Sequence, residues 1–329
     1  MANWIRNKSM FKEIPIIDIA PLVIPNGNSK LIQKTGDEIR DACKNVGFFY
    51  IKNHQIPQSH VDALVPVIQK FFNLSLEEKM KIHIRKSDAY RGYTPLGKEL
   101  TNNKYDWHEC VDFGPHLEPN NPEVISGKQL AGPNQWPENQ HNFKRVLENH
   151  WDLMIILGRK ITQGLAISLG LSKNYFSPFM SQSHSYMRIS NYPPYENSQK
   201  ENIGDGIGSH IDYGFLTILF QDKIGGLEIK NFNNEWFSAP ILPGTFLINI
   251  GHMIQRWTND YYRATTHRVI PPKNKPRYSL PFFFEPNFDT VVAPLEKFCS
   301  KNNMPHYKPI NFGDYLERTF KNSYSSIIE

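Results

Sequence analysis

The feature that most limits the fold of this chain is a series of short β-rich runs in its second half. Six of them follow residue 180, separated by turns that contain proline or glycine. The runs are 186–192, 215–220, 226–230, 245–250, 266–270 and 278–284. Their spacing is typical of an antiparallel barrel or sandwich, so the sequence predicts an all-β core in this part of the chain.

The first half has a different pattern, in which helical spacing dominates. Apolar residues recur at three- and four-residue steps and predict helices at 30–45, 58–83 and 143–171. Ser75 and Glu78 form a capping box that starts a further short helix. Short strands are predicted at 14–19 and 47–51, whereas 84–140 looks like connecting loops with few strands. We therefore expect an α+β fold, with a helix-rich region packed on a β core.

The length of 329 residues allows two domains, or one large fold with an attached segment. Apolar residues make up 40% and aromatic residues 13%, which is enough for a sizeable core. We divide the chain into a helix-rich region at 1–180, a core at 181–290 and a C-terminal helical extension at 291–329.

Charge and cysteine usage exclude several classes of protein. The formal net charge is +5, without a block of basic residues, so we expect neither a nucleic-acid nor a membrane partner. The three cysteines are far apart, which argues against a disulfide framework and a structural zinc site. The first residues lack the apolar stretch of a signal peptide, and a cytoplasmic location is expected. Any bound metal must therefore rely on histidine.

Most of the 12 histidines have no second ligand at a suitable spacing. His210 and Asp212 differ, because residues two apart in a strand project on the same side. His267 lies on a later predicted strand and provides a third ligand, although His252 competes with it for this role. Two histidines and one carboxylate leave coordination positions free, as in non-haem Fe(II) oxygenases.

A second pair of polar residues follows ten residues after His267. Arg277 and Ser279 are again two apart, so both side chains can point into the barrel. An arginine with a nearby hydroxyl group binds a carboxylate through charge-assisted hydrogen bonds. A metal site beside a carboxylate anchor is more specific than either feature alone.

These motifs resemble the isopenicillin N synthase-like family of Fe(II)- and 2-oxoglutarate-dependent dioxygenases. Further matching segments occur in family order along almost the whole chain, and the resemblance is strongest to the microbial branch with thymine 7-hydroxylase and the bacterial ethylene-forming enzyme. The segments are I-P-I-I-D-I, G-F-F-Y-I-K-N-H, R-G-Y, N-Y-P-P, D-Y-G-F-L-T-I-L-F-Q-D, G-G-L-E-I, W-T-N-D and F-x-E-P-N-F.

The resemblance implies a double-stranded β-helix, or jelly roll, that holds Fe(II) and 2-oxoglutarate and uses O2. It assigns the iron to His210, Asp212 and His267, and the distal carboxylate of 2-oxoglutarate to Arg277, Ser279 and Tyr192. The chain departs from plant members at 190–192, where it reads S-N-Y instead of N-Y-Y.

The resemblance also implies three residues at the substrate: Phe283, Glu285 and Arg188. Strand alternation sends Phe282 and Phe284 away from the side that Phe283 occupies. An apolar wall with a cationic and an anionic group suits many small molecules. The identity of the substrate and the oligomeric state therefore stay open at this point.

The predicted reaction couples oxidative decarboxylation of 2-oxoglutarate, to succinate and CO2, with oxidation of a small molecule, most commonly hydroxylation. Three alternatives remain. One is an iron oxidase of the same family that does not use 2-oxoglutarate, and the second is a non-enzymatic sensor on the same fold. The third, a zinc hydrolase with the same three ligands, leaves Arg277 and Ser279 unexplained.

Overall fold

A computed structural model describes residues 13–25, 27–195 and 204–328, with side chains described up to residue 324. The expectation about a signal peptide concerns residues 1–12 and lies outside this range. None of the helices in the described residues is both long and apolar enough to cross a membrane.

The helices follow the periodicity of the sequence. They are α1 Ala20–Val23, α2 Ser29–Asn45, α3 Gln58–Phe72, α4 Leu76–Met80, α5 Pro122–Ile125, α6 His141–Ser168, α7 His252–Trp257 and α8 Phe312–Ile328, with 3₁₀ turns at Ile84–Lys86, Ser177–Met180 and Glu296–Phe298. The predicted helix start at Ser75 is confirmed, because the Ser75 hydroxyl accepts the Glu78 N–H at the start of α4, whereas the Glu78 carboxylate binds Lys81. The region predicted as one helix at 58–83 is divided between α3 and α4, and the side chain of Ser75 stabilises the new start.

Most strands lie in the C-terminal half. They are β1 Ile16–Asp18, β2 Phe48–Lys52, β3 Gly92–Thr94, β4 Leu100–Thr101, β5 Lys104–Tyr105, β6 Glu109–Phe113, β7 Tyr186–Tyr192, β8 Ile207–His210, β9 Leu216–Gln221, β10 Leu227–Lys230, β11 Trp236–Ser238, β12 Phe246–Ile250, β13 His267–Val269, β14 Arg277–Phe284, β15 Val291–Val292 and β16 Ile310–Asn311. All six predicted runs after residue 180 form strands within a residue or two of their expected bounds.

Two sheets form the double-stranded β-helix, which confirms the predicted α+β fold class. The larger sheet has eight strands in the order β1-β2-β12-β9-β14-β7-β6-β3, and the smaller has four in the order β11-β10-β13-β8. Apart from the parallel pair β1 and β2, the neighbouring strands of both sheets are antiparallel. Two small antiparallel pairs, β4-β5 and β15-β16, complete the strands of the described residues.

The expectation of mainly loops at 84–140 missed β6, which lies inside the larger sheet between β3 and β7. Its sequence E-C-V-D-F carries two charges and therefore does not look like a buried strand. Both charges are compensated in the folded chain, because Glu109 binds Lys79 at 2.8 Å and Asp112 binds Arg188 at 2.8 Å. Pairing of this kind makes burial of charged residues in a strand possible.

Helix α6 packs against the larger sheet and fixes the direction in which the side chains of β14 point. The rings of Trp151 and Phe282 lie 5.1 Å apart, and Gly158 lies against Phe284. Phe282 and Phe284 are fully buried on this side, as the alternation predicted. Phe283 points to the other side and lines the main cavity.

Candidate active site

His210, Asp212 and His267 meet where the two sheets face each other. Strand pairing places His267 directly opposite His210, and their ring centroids are 4.2 Å apart. Oδ1 of Asp212 lies 3.6 Å from Nε2 of each histidine. The three potential ligand atoms lie within 4.8 Å of one another, so a single metal ion fits among them.

Backbone carbonyl groups orient both histidine rings. Nδ1 of His210 donates to the Gly208 carbonyl at 2.8 Å, and Nδ1 of His267 donates to the Thr265 carbonyl at 3.1 Å. Each ring therefore keeps the lone pair of Nε2 for the centre of the site. Burial and the nearby His210 lower the pKa of His267 to about 4. A neutral ring is the form that binds a metal.

Two side chains that the sequence analysis did not identify hold the Asp212 carboxylate. Its Oδ2 atom accepts hydrogen bonds from Asn249 at 2.7 Å and from Thr217. These contacts leave Oδ1 facing the two histidines. Burial alone would raise the pKa of Asp212, but His267 and His210 lower it below its ordinary value. The carboxylate is therefore ionised.

Two details of the ligand hypothesis differ in the structure. Strand β8 ends at His210, so Asp212 lies in the following loop and not on the strand that the spacing argument assumed. Loop backbone and the contacts of Oδ2 turn its carboxylate toward the histidines. His252 begins α7, and its Nδ1 contacts the Tyr315 hydroxyl at 3.1 Å. Of the two competing histidines, only His267 belongs to the cluster.

Arg277 and Ser279 lie on β14 and line the same cavity as the three potential ligands. The Arg277 guanidinium group is fully buried and makes one hydrogen bond, to Gln221 at 3.1 Å. Its Nε and Nη1 atoms have no hydrogen-bond partner among the described residues. Tyr192 supplies its ring to this site, with the centroid 4.7 Å from Cζ of Arg277.

Ser190 is a further residue of this site that sequence reasoning did not assign. It pairs with Ser279 across β7 and β14, it lines the cavity, and its buried hydroxyl group has no hydrogen-bond partner among the described residues. An unpaired buried donor that faces a cavity is available to a ligand. The donors of Arg277 and Ser190 together suit a carboxylate group.

The cavity has a volume of about 340 Å³ and continues past the three potential ligands to α8. Its walls at that end are largely aromatic, with side chains from both β14 and the C-terminal helix. The residues are Tyr186, Tyr213, Phe283, Phe320 and Tyr324. Phe283, predicted at the substrate, thus lies beside a helix that the sequence analysis did not connect with the site.

Arg188, also predicted at the substrate, lines this end of the cavity but is held by two carboxylates. It makes bidentate hydrogen bonds of 2.8 Å with Glu99 and with Asp112, and it donates to the Tyr324 hydroxyl at 2.6 Å. Burial would raise the pKa of Glu99, but Arg188 and His108 lower it to about 2. The positive charge of Arg188 is therefore compensated within the protein.

Glu285, the third predicted substrate residue, is buried at the same end of the cavity. Its Oε2 atom accepts the Phe215 N–H at 2.7 Å, and its carboxyl group packs against Gly214. Burial and the neighbouring Asp212 raise the pKa of Glu285 well above its ordinary value. The carboxyl group therefore lies in an environment that offers it no positive charge.

The jelly roll with a cluster of two histidines and one carboxylate defines a class of non-haem iron oxygenase. Two family models match the chain. Residues 14–139 match the N-terminal region of non-haem dioxygenases in morphine synthesis, and residues 183–286 match the 2OG-Fe(II) oxygenase superfamily. With the relatives described next, these matches show that the chain belongs to the 2OG-Fe(II) oxygenase superfamily.

The chain is 38% identical to homoarginine-6-hydroxylase 2-ODD-233 of Oryza sativa over 94% of its length and 96% of the relative. It is 30% identical to a 2-oxoglutarate-Fe(II) type oxidoreductase of Emericella nidulans, over 94% of this chain and 90% of that one. Among solved structures, the Neurospora crassa thymine 7-hydroxylase in complex with α-ketoglutarate and thymine aligns with a TM-score of 0.81. Its sequence identity is 27%, over 94% of this chain and 97% of that one.

The protein is thus an oxidoreductase that depends on Fe(II), 2-oxoglutarate and O2. It couples oxidative decarboxylation of 2-oxoglutarate, to succinate and CO2, with oxidation of a small molecule. This outcome confirms the first hypothesis of the sequence analysis. The roles of individual residues are a separate question.

Proposed function

We propose that His210, Asp212 and His267 bind Fe(II), and that Arg277 and Ser279 bind the distal carboxylate of 2-oxoglutarate. The observation that carries this proposal is one cavity that contains both the ligand cluster and a buried guanidinium group with two unpaired nitrogen atoms. Ser190 and Tyr192 complete the carboxylate site through their hydroxyl groups, and the Tyr192 ring packs against the Arg277 guanidinium group.

The chemistry of these donors fits both groups. Two imidazole nitrogens and one carboxylate oxygen are the ligand set of non-haem Fe(II) oxygenases. Iron and 2-oxoglutarate, once bound, supply the O2-dependent oxidation. The rest of the chain orients the three proposed iron ligands. The carbonyl groups of Gly208 and Thr265 hold the two histidine rings, and Asn249 and Thr217 hold the Asp212 carboxylate. Aromatic walls exclude water from the reacting atoms.

We infer that the reaction is hydroxylation of a basic amino acid. The support is the name homoarginine-6-hydroxylase, which belongs to several relatives that are 34–38% identical to this chain over most of its length. A cavity of about 340 Å³ has room for a substrate of this size.

We also propose a cytoplasmic location, which the free thiols of Cys43, Cys110 and Cys299 support.

The test is release of CO2 from labelled 2-oxoglutarate by protein reconstituted with Fe(II) under anaerobic conditions and then exposed to O2. We expect turnover that increases with homoarginine, and loss of both turnover and tightly bound metal in His210→Ala. His116→Ala is the matched control, because His116 is an exposed histidine outside the cavity. Wild-type protein that releases no CO2 with any member of a broad substrate panel would contradict the proposal.

A further inference from the structure

Glu285 combines deep burial with a lack of ionic partners. Only 5% of the residue is exposed, and its carboxyl group makes one hydrogen bond, with the Phe215 N–H. Among the ion pairs of the described residues, none involves Glu285. Burial of an unpaired carboxylate is costly unless a ligand compensates it.

The other carboxyl groups that line the cavity already have partners. Glu99 accepts two hydrogen bonds from Arg188 and one from His108. Asp106 accepts hydrogen bonds from the Thr101 hydroxyl and the Gly208 N–H. Asp212 belongs to the proposed iron site. Glu285 is therefore the cavity carboxyl group, among the described residues, that is left for a substrate.

Arg188 does not counterbalance Glu285. Its guanidinium group is already shared between Glu99 and Asp112, which together carry more negative charge than the arginine carries positive charge. His108 contacts Glu99 at 3.0 Å and also bonds to a backbone carbonyl. The positive charges at this end are thus occupied by protein carboxylates, and none is directed at Glu285.

Two aromatic side chains line the cavity together with Glu285. Phe283 is two residues earlier in the chain, near the end of β14. Tyr213 precedes Gly214, and Gly214 lies so close to the Glu285 carboxyl group that any Cβ there would overlap it. Both rings line the cavity. A carboxylate beside aromatic faces is the environment that binds guanidinium and ammonium groups.

We propose that Glu285, together with Phe283 and Tyr213, forms a subsite for a positively charged nitrogen group of the substrate. The inference rests on the proposed hydroxylase function and adds the residue that selects a cationic over a neutral substrate. In a basic amino acid the charged group is either the side-chain guanidinium or the α-ammonium. Contact with either one stabilises the ionised form of the buried Glu285 carboxyl group and holds the substrate chain across the proposed iron site.

The experiment compares Glu285→Gln with wild type, because glutamine keeps the acceptor for Phe215 but removes the charge. Binding of three probes to the anaerobic Fe(II) and 2-oxoglutarate complex is measured by calorimetry. Homoarginine carries a guanidinium group and an α-ammonium group, both positively charged. Homocitrulline has a neutral urea group in place of the guanidinium, and 6-guanidinohexanoate lacks the α-ammonium group. In wild type, removal of the recognised charge should weaken binding by about 10- to 100-fold, and in Glu285→Gln by less than about threefold.

The probe that loses affinity in wild type identifies which cation contacts Glu285. Glu285→Asp keeps the charge on a shorter side chain and should retain part of the discrimination. Glu228→Gln is the matched control, since Glu228 forms its ion pair with Arg268 outside the cavity and should leave all three affinities unchanged. A thermal melt verifies that each variant is folded.

Two results would overturn the inference. One is equal binding of neutral and cationic probes by wild type, and the other is full discrimination in folded Glu285→Gln. Decarboxylation of 2-oxoglutarate without a substrate separates this inference from the proposed function. If Glu285→Gln still releases CO2, the iron and 2-oxoglutarate sites are intact; if wild type releases none under any condition, the proposed function itself fails.

Discussion

At the scale of single residues, the site depends on buried polar groups that the protein does not fully pair. Arg277 has no exposed surface, yet two of its three nitrogen atoms form no hydrogen bond within the part of the chain that the structure describes. Folding alone gains little from such a group, since a buried unpaired charge destabilises the folded state. Arg277 is therefore suited to bind an anion. Its replacement should weaken binding of 2-oxoglutarate without destabilising the ligand-free protein.

Arg277→Met should weaken 2-oxoglutarate binding by at least about 100-fold, because two charge-assisted hydrogen bonds of about 1.5–3 kcal/mol each are lost. The free energy of unfolding of the ligand-free protein should stay unchanged or rise, since methionine fills the space without an unpaired charge. Calorimetric titration and urea unfolding measure the two effects. Arg268→Met, outside the cavity, is the control. Unchanged 2-oxoglutarate affinity in the variant would contradict the assigned role.

Other residues of the site carry no sequence signal that distinguishes them. Asn249 and Thr217 lie in apolar strands, where a polar residue is usually a local hydrogen-bonding group. Their contact with Asp212 depends on the pairing of β9 with β12, which brings Asn249 and Thr217 opposite each other. Periodicity predicts that both strands exist, but it does not predict which residues face each other across them.

At the scale of secondary-structure elements, the contact between α3 and α6 contains a titratable pair. Nε2 of His60 lies 3.2 Å from Nδ1 of His150, and the two rings are stacked. His150 is fully buried on α6. Burial, and to a lesser extent His60, lower the pKa of His150 to about 3. The helix contact is thus stable only while this histidine remains neutral.

This contact predicts a loss of stability at acidic pH. In the unfolded chain a histidine has a pKa of about 6.5, so below that pH the unfolded state binds a proton that the folded state does not. Stability that is present at neutral pH is then lost as the pH falls from about 6.5 toward 3. Between about pH 7.5 and 5.5, His150 should account for about 1.4 kcal/mol of the wild-type decrease.

His150→Gln does not titrate and should show a decrease that is smaller by this amount. The measurement is the free energy of unfolding in urea at the two pH values, for wild type, the variant and the exposed-site control His116→Gln. The same pH dependence in all three proteins would show that His150 does not carry the effect.

At the scale of the whole molecule, the two halves of the chain share one sheet. Strands β2, β3 and β6 come from the first 180 residues, and they extend the sheet that carries β7, β9 and β14. Helix α8, from the C-terminal extension, closes the substrate end of the cavity with Phe320 and Tyr324. The division at 1–180, 181–290 and 291–329 stays a prediction about units along the sequence. The proposed site uses side chains from all three segments.

The close packing of α6 on the sheet can be tested at Gly158. A Cβ at this position would lie 2.5 Å from the Phe284 ring. Gly158→Ala should therefore lower the free energy of unfolding by about 1–3 kcal/mol through overpacking, although alanine is the better helix former. Arg159→Ala, the exposed neighbour on the same helix, should change it by less than about 0.5 kcal/mol. Stabilisation by Gly158→Ala would show that the ring moves away freely.

The sequence alone determined the β-rich core, the main helices and the motifs of the iron and 2-oxoglutarate sites. Each of these depends on local periodicity or on residues two apart, and such spacing is a property of the chain itself. Only the tertiary structure decided that Arg188 is neutralised by Glu99 and Asp112, while Glu285 has no ionic partner among residues 13–25, 27–195 and 204–324. The two ion pairs of Arg188 join residues that are 89 and 76 positions apart in the sequence. Charge compensation in a buried site depends on three-dimensional neighbours, which spacing along the chain does not specify.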